Sequence, residues 1–433
     1  MIPSPARRFL RFAVFFIICA TALLEPAPLR SQEETGPEAA PSNINSVITS
    51  IEIIGLKRTS PGIARYPLEK FLGRDGAELD FNEVYAAVKD TNILEPNLVE
   101  LVETTEGLLL RVTVTEKWSI FPVPVVMASS GDYSAGLFLA DTNALGLMDM
   151  AALGAMYSSS GWMAMLMYRH TPRRNGFLGW NTFFMYNQRE REDEDRDEKI
   201  YRRYSSDQLR FSFGLSYPFA TYFTAGTALS FTDISLKKNS KAFNTPAEGA
   251  RHLALTPDFS FSYSIWDGYL LSQRSVTLGY SYNLALSGSS YHQLEFRGAC
   301  ELPLVPGFRI NLRSGAIWKS EAGSDTAPLF EEGPASAQVD ILPKKFAAMR
   351  YAGISAGLEK YIFKSRWGTF SVLGSWQCVT SYGPISGMEF DNGPSGGVRF
   401  YLSRLALPAL GAMFAYNMNS GRSQFAFNMG MAF

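Results

Sequence analysis

The sequence predicts a mostly β protein, with a small N-terminal α+β domain followed by a transmembrane antiparallel β-barrel of about sixteen strands. Three observations predict this fold class. Apolar and polar residues alternate in run after run beyond residue 118, the connections between runs are short and long in turn, and helical periodicity is confined to residues 47–117. The mean hydropathy of −0.04 is too low for a bundle of membrane helices but suits a barrel with a polar lumen.

Residues 1–31 are predicted to be a secretory signal peptide. The arginines of RRFLR precede an apolar run, Phe12–Leu24, that is too short to cross a bilayer as a helix. Cleavage near Ala22, Ala27 or Ser31 fits the pattern. Residues 32–46 (QEETGPEAAPSNINS) follow as a polar linker.

Loss of that segment removes Cys19 and leaves Cys300 and Cys378, which both fall inside predicted strands far apart in sequence. We expect two isolated thiols, with a disulfide as the alternative.

Residues 47–117 predict a β-α-α-β-β order. ITSIEIIGLKR is a β-branched strand that ends at Gly55, and the first helix stops at Gly73. Asp80 is expected to cap the second helix, with Glu83 completing a capping box. NLVELVETT and GLLLRVTVTE then form a hairpin. The order resembles a POTRA domain, and another small α+β domain is the alternative.

Residues 118–433 predict the barrel. In LRFSFGLSY, FSFSYSI and VTLGYSYNLAL, apolar or aromatic residues take every second position, and each run is long enough for a tilted strand to cross a bilayer. If the first strand rises from the periplasm, the even-numbered connections are short and often contain proline. The odd-numbered ones then include four long polar stretches, at 188–203, 236–251, 320–350 and 382–394.

The last strand, SQFAFNMGMAF, has the same alternation. Its apolar positions are expected to face lipid, and the terminal aromatic resembles the C-terminal recognition signal of bacterial outer-membrane proteins; these positions are Phe425, Phe427, Met429, Met431 and Phe433.

A POTRA domain leading into such a barrel resembles the BamA/TamA type of outer-membrane assembly and translocation protein, the bacterial surface antigen family. The pieces that carry the resemblance are EKWSIFPVPVV, GLFLADTNALGLMDMAALGAMYSS and SGGVRFYLSRLALPALGAMFAYN. The resemblance implies a bacterial outer-membrane barrel with its POTRA domain in the periplasm. Its implied partners are membrane lipid, unfolded outer-membrane or secreted client proteins, and periplasmic accessory proteins.

The resemblance also implies a lock between a lumenal loop and the barrel wall. In that family, an arginine of the sixth extracellular loop pairs with acidic groups of the wall. The matching loop here ends PKKFAAMRYAG, so Arg350 followed by Tyr351 is the candidate, with Glu359 as the acidic partner. The family's glycine between arginine and aromatic residue is missing, and Cys378 stands where an aspartate is usual. A solvated loop position for Arg350 is the alternative.

No catalytic constellation is evident. His170, His252 and His292 show no metal-ligand spacing, although the sequence leaves a nucleophile near His292 open. The charge run REREDEDRDEKIYRR predicts a solvated loop, with lipid headgroups or divalent ions as additional contacts. No cofactor is expected, and the net charge of −1 excludes a strongly basic nucleic-acid binder.

Two functions remain. In the first, clients pair with a POTRA sheet edge by β-augmentation and pass to a weak seam between the first and last strands. A two-partner secretion transporter is a variant of this function. In the second, the barrel is a passive pore or surface structure.

Overall fold

The computed structural model describes most of the chain from Val47 to Met429, and the chain divides into two compact units between Glu116 and Lys117. The predicted signal peptide and linker lie outside the described residues, as do Met431 and Phe433. The described ranges are 47–91, 93–129, 132–171, 177–194, 199–236, 241–242, 249–267, 270–305, 307–320, 338–342, 348–365, 368–383, 387–402 and 410–429.

The first unit is a three-stranded sheet with helices between its first two strands. The strands are β1 (Ile48–Ile54), β2 (Leu94–Thr104) and β3 (Gly107–Glu116), in the order β1-β3-β2. β3 is parallel to β1 and antiparallel to β2, so β1 and β2 are the two edges. Helix α1 (Pro61–Arg65) continues into a 3₁₀ turn, and helix α2 (Phe81–Lys89) precedes β2. The core comprises Ile48, Leu68, Phe71, Val84, Val88, Leu94, Leu110 and Val112.

Local chemistry explains the boundaries of this unit. Asp80 caps α2 by accepting a hydrogen bond from the Asn82 N–H at 2.8 Å. The predicted capping box is wrong in its second half, because the Glu83 carboxylate instead binds Lys70 at 2.9 Å and Arg74 at 3.1 Å. Gly55 ends β1 with φ +103°, where a Cβ atom would meet the Val114 carbonyl oxygen.

Glu116 anchors the segment that follows β1. Its Oε2 accepts hydrogen bonds from three successive backbone N–H groups, those of Lys57, Arg58 and Thr59, at 2.7, 3.0 and 3.2 Å. Burial raises the pKa of Glu116, but these hydrogen bonds outweigh burial and hold the pKa below its usual range.

The second unit is a closed antiparallel barrel. Within the described residues it has sixteen strands, besides the two-residue β11 (Lys241–Ala242) that pairs with β9. The strands are β4 (Ile120–Ser129), β5 (Asp132–Ala144), β6 (Asp149–Ser158), β7 (Gly161–His170), β8 (Gly179–Glu194), β9 (Ile200–Ala220), β10 (Phe223–Leu236), β12 (Ala250–Asp267), β13 (Leu270–Ser287), β14 (Tyr291–Val305), β15 (Phe308–Lys319), β16 (Arg350–Ser365), β17 (Gly368–Gly383), β18 (Gly387–Leu402), β19 (Leu410–Asn417) and β20 (Arg422–Met429).

The predicted alternation is confirmed by the exposure of the two barrel faces. On β9, Phe211, Phe213, Leu215 and Tyr217 are 46%, 42%, 39% and 43% exposed on the outer face. Side chains of the opposite parity point into the lumen. The barrel therefore presents an apolar outer surface with aromatic side chains, as transmembrane barrels do.

Two of the four predicted long loops are wrong. Most of the charged stretch 188–203 is paired strand, since β8 runs to Glu194 and β9 begins at Ile200. Opposite charges can face each other across a ladder, and Glu192 pairs with Arg203 in this way. Likewise β17 ends at Gly383 and β18 begins at Gly387.

Cys300 and Cys378 are free thiols, which confirms the expected isolated cysteines. Among the described residues, no helix is long and apolar enough to cross a membrane.

Candidate functional site

A buried carboxylate organises the lumen wall. Glu359 on β16 is 0% exposed, and its Oε2 accepts hydrogen bonds from Arg309 Nε at 2.8 Å, Arg309 Nη2 at 2.7 Å and Asn311 Nδ2 at 2.9 Å. Its Oε1 accepts from Ser371 Oγ at 2.5 Å and Tyr401 OH at 2.9 Å. A buried charge is tolerated only with such compensation.

Further charges extend this cluster across the wall. Arg309 Nη1 lies 3.0 Å from Glu301 Oε2, and Arg399 Nη1 lies 3.5 Å from Glu359 Oε2. Arg313 approaches Glu301 at 3.9 Å. We call Glu301, Arg309, Asn311, Glu359, Ser371, Arg399 and Tyr401 the wall cluster. Its members lie on five consecutive strands, β14 to β18, so it links these strands beyond their backbone ladders.

Residues 338–342, from the connection between β15 and β16, pack inside the barrel. Val339, Ile341 and Leu342 are at most 4% exposed and form a cluster with Tyr351 and Val379. The Asp340 backbone N–H donates to Gln377 Oε1 at 2.7 Å, and Gln377 Nε2 donates to Asp340 Oδ2 at 3.1 Å. Residues 338–342 therefore lie in the lumen and are fixed to β17.

The barrel closes where β20 meets β4. In the described residues this seam has four opposed pairs, Ala426–Met429 against Val126–Ser129. The Thr142 N–H donates to the Ser119 carbonyl at 3.0 Å, so the odd-numbered residues of β4 bond to β5 and the even-numbered ones face the seam. Pro122 and Pro124 occupy even positions. The seam edge of β4 thus lacks two N–H donors.

The barrel resembles solved structures. BamA from Haemophilus ducreyi lacking POTRA domains 1–3 aligns with TM-score 0.55 at 14% identity, over 91% of this chain and 86% of that one. The chain has the fold of BamA.

CdiB structures also share this BamA fold. CdiB from Acinetobacter baumannii aligns with TM-score 0.61 at 11% identity, over 89% of this chain and 74% of that one. CdiB from Escherichia coli aligns with TM-score 0.56 at 10% identity, over 100% and 99%. No family model and no curated protein matches the chain. The resemblance inferred from the sequence is therefore confirmed as one of fold.

The predicted lock between Arg350 and Glu359 is wrong in this BamA-type barrel. Both residues lie on β16, nine positions and ~30 Å apart, and their opposite parity places them on opposite faces of the strand. Arg350 points outward, where its guanidinium lies 5.5 Å from the Trp318 ring centre and 5.0 Å from that of Tyr382. Glu359 instead pairs with Arg309 and Arg399.

Tyr351, the other predicted lock residue, does contact the connection. It is 0% exposed, and its hydroxyl accepts a hydrogen bond from the Ala348 N–H at 2.8 Å. The polar contact of the connection uses Asp340 and Gln377, which sequence reasoning missed. The parity of β17 was the available signal, because Gln377 lies on the lumen face with Ser371, whereas Cys378 lies on the outer face.

Only part of the predicted terminal signal can be placed. Phe425 is 46% exposed on the outer face, and the backbones of Phe427 and Met429 pair with Ala128 and Val126. The role of these residues and of Phe433 in recognition stays a prediction.

The histidines have three separate surroundings. His170 Nδ1 lies 2.9 Å from the Asp149 carboxylate, His252 Nε2 lies 3.2 Å from the Ser289 carbonyl, and His292 Nδ1 lies 2.6 Å from Tyr280 OH. In the described part of the chain, no group of three or more His, Cys, Asp or Glu residues is placed to hold a metal ion.

Proposed function

We propose that this protein assembles or translocates client proteins at a bacterial outer membrane. In this proposal the second unit spans the membrane, the first unit is a periplasmic POTRA domain, and unfolded outer-membrane or secreted proteins are the clients. The observation that carries the proposal is the seam edge of β4, which has no N–H donor at Pro122 and Pro124.

Beyond the four described pairs, the β4 edge cannot form a complete ladder with any strand that pairs along Pro122 and Pro124. Each backbone hydrogen bond contributes about 0.5–1.5 kcal/mol net, so the two missing donors weaken pairing along this part of the edge by roughly 1–3 kcal/mol. Because β4 follows the first unit, the two prolines lie toward the periplasmic end in the proposed orientation. A client strand arriving from the periplasm would meet the weakened part first.

The wall away from the seam is built differently. The wall cluster links β14 to β18 through Glu359 and its partners, so opening at the seam leaves this wall intact. A wall that is cross-linked by side chains from β14 to β18, together with a weakly paired seam edge on β4, favours a barrel that opens laterally over a uniformly closed pore.

The first unit offers a place for a client before it reaches the barrel. β2 is an edge strand of eleven residues, and Leu98 on it is 50% exposed. An extended client strand could add to this edge by β-augmentation, which gains affinity from backbone hydrogen bonds without demanding one sequence.

A disulfide across the seam tests the proposal. Met127 and Asn428 are directly opposed and not hydrogen-bonded to each other, so their Cα atoms are about 4.5 Å apart, within the range for a disulfide. Met127→Cys with Asn428→Cys would be made in a background of Cys300→Ser and Cys378→Ser. The matched control joins Ala155→Cys to Ala164→Cys, a directly opposed pair between β6 and β7 on the outer face.

We expect oxidation of the seam pair to stop assembly of other envelope proteins and reduction to restore it, while the control pair has no effect. Normal levels of every other envelope protein with the seam oxidised would contradict the proposal and favour a passive pore.

A further inference from the structure

An apolar patch lines the lumen beside the seam. Its members belong to β4, β5, β6 and β7 and pack against one another on the inner face of the barrel. Four are less than 10% exposed and four are partly buried. We call this the methionine patch; it consists of Phe121, Val123, Val125, Phe138, Ala140, Met156, Met163 and Met165.

The lumen-facing positions nearest the patch on β5, β6 and β7 carry no charge. Lumen-facing positions from Ser134 to Ala140, from Met150 to Met156 and from Met163 to Met167 carry serine, glycine, alanine, phenylalanine or methionine. The interior of a transmembrane barrel is ordinarily polar, as the wall cluster of this protein is. The methionine patch therefore requires an explanation other than the solvation of a water-filled lumen.

The position of the patch suggests its occupant. Phe121, Val123 and Val125 belong to β4, whose seam edge lacks donors at the intervening prolines. A strand paired along that edge places every second side chain directly opposite these three residues, with Cβ atoms about 4.5–5.5 Å apart. The patch is thus continuous with the edge that receives clients in the proposed function.

We propose that the methionine patch binds the apolar lumen-side side chains of an extended client segment held along β4. This inference rests on the proposed function and adds a specificity to it: segments with apolar residues on both faces are held more tightly than segments with one polar face. Methionine suits this task because its unbranched, polarisable side chain adapts to differing partners.

A peptide fits the site better than a lipid acyl chain. The patch lies on the lumen face of β4, and the neighbouring edge offers backbone carbonyl groups that an acyl chain cannot use. The lumen positions from Ser134 to Ala140, from Met150 to Met156 and from Met163 to Met167 lack the basic side chain that a phosphate headgroup would require, and Arg169 is the next lumen-facing position on β7.

Two synthetic peptides test the inference on the full-length protein in detergent. Both have ten residues, valine at alternate positions and flanking lysines. The first has leucine at the remaining positions and the second has serine. We expect the leucine peptide to bind at least about tenfold more tightly, as measured by fluorescence anisotropy.

The decisive variant is Met156→Gln with Met163→Gln and Met165→Gln, which keeps side-chain length and adds polarity. We expect it to abolish the preference for the leucine peptide and to leave binding of the serine peptide unchanged. A variant with leucine at the same three positions should retain the preference for the leucine peptide. Met388→Gln should retain it too, because Met388 is exposed on the outer face. Heat-modifiable migration verifies folding, and Met163→Gln alone replaces the triple variant if that variant does not fold.

An unchanged preference for the leucine peptide in the glutamine variant would overturn the inference. If short-chain phosphatidylcholine displaces the leucine peptide but not the serine peptide, the occupant of the patch is a lipid and the inference is also overturned. The seam disulfide separates this failure from that of the proposed function. If oxidation blocks both peptides while the glutamine variant behaves like wild type, only the patch assignment fails. If oxidation leaves both peptides bound, the proposed function fails.

Discussion

Replacing Arg309 with methionine should be among the most destabilising single changes in the barrel. The substitution keeps an unbranched side chain but removes two hydrogen bonds to Glu359 and the ion pair with Glu301. The side chains of Arg309 and Glu359 are 3% and 0% exposed, so water cannot replace the hydrogen bonds that the Glu359 carboxylate loses. Removing one partner of a buried ion pair costs about 3–5 kcal/mol, and we expect a loss of that size.

Glu359→Gln should cost less than Arg309→Met. After that change Arg309 still has Glu301 at 3.0 Å, whereas after Arg309→Met the Glu359 carboxylate retains one arginine contact, at 3.5 Å, from Arg399. Because the two residues interact directly, the double variant should be much less destabilised than the sum of the single variants.

Urea unfolding of the refolded barrel, followed by heat-modifiable migration, measures these free energies. Arg350→Ala is the control because Arg350 faces outward between Trp318 and Tyr382. Its effect should add to that of Glu359→Gln within about 0.5 kcal/mol. A loss below about 1 kcal/mol for Arg309→Met, or additivity between Arg309 and Glu359, would refute the reasoning from a dry, coupled pair.

Three further predictions, one from the sequence and two concerning the first unit, can be tested separately. Phe433→Ala should lower the amount of folded, heat-modifiable protein, because the terminal aromatic is expected to be recognised during insertion; a normal amount would leave only lipid contact for it. Deletion of residues 47–117 should leave a barrel that folds while levels of other envelope proteins fall; unchanged levels would favour a passive pore. The first unit should lose stability to urea as the pH falls through the lowered pKa of Glu116, because the contribution of this carboxylate is complete only above its unfolded-state pKa of about 4.3. Glu116→Gln should reduce that acid-dependent loss, and an unchanged pH profile would contradict the assignment.

Alternation along single strands made the barrel predictable from the sequence. LRFSFGLSY and its counterparts contain the two-residue period that specifies an inner and an outer face, and the same period in ISAGLEKYI places Glu359 on the lumen face, where the structure has it. The same parity argues against a pair between Arg350 and Glu359, since an even and an odd position on one strand face opposite ways.

The partners of Glu359 could not be predicted in the same way. Arg309 lies 50 residues earlier in the chain and meets Glu359 only because β15 and β16 pair in one register. Register is a property of two strands and their connection, and the connection here is long. The inward position of residues 338–342 also depends on a tertiary contact. Asp340 in the connection binds Gln377 on β17, which lies 37 residues later in the chain.

Restoring the two missing donors on β4 tests the central claim most directly. Pro122→Val with Pro124→Val should let the seam edge form a fuller ladder, and Pro257→Val, within β12 and away from the seam, is the matched control. The measurement is the rate at which proteoliposomes containing the protein fold an added, urea-unfolded outer-membrane barrel. We predict a rate several-fold below wild type for the β4 variant and a wild-type rate for the control. An unchanged or faster rate in the β4 variant would contradict the account of a seam held weak for client entry.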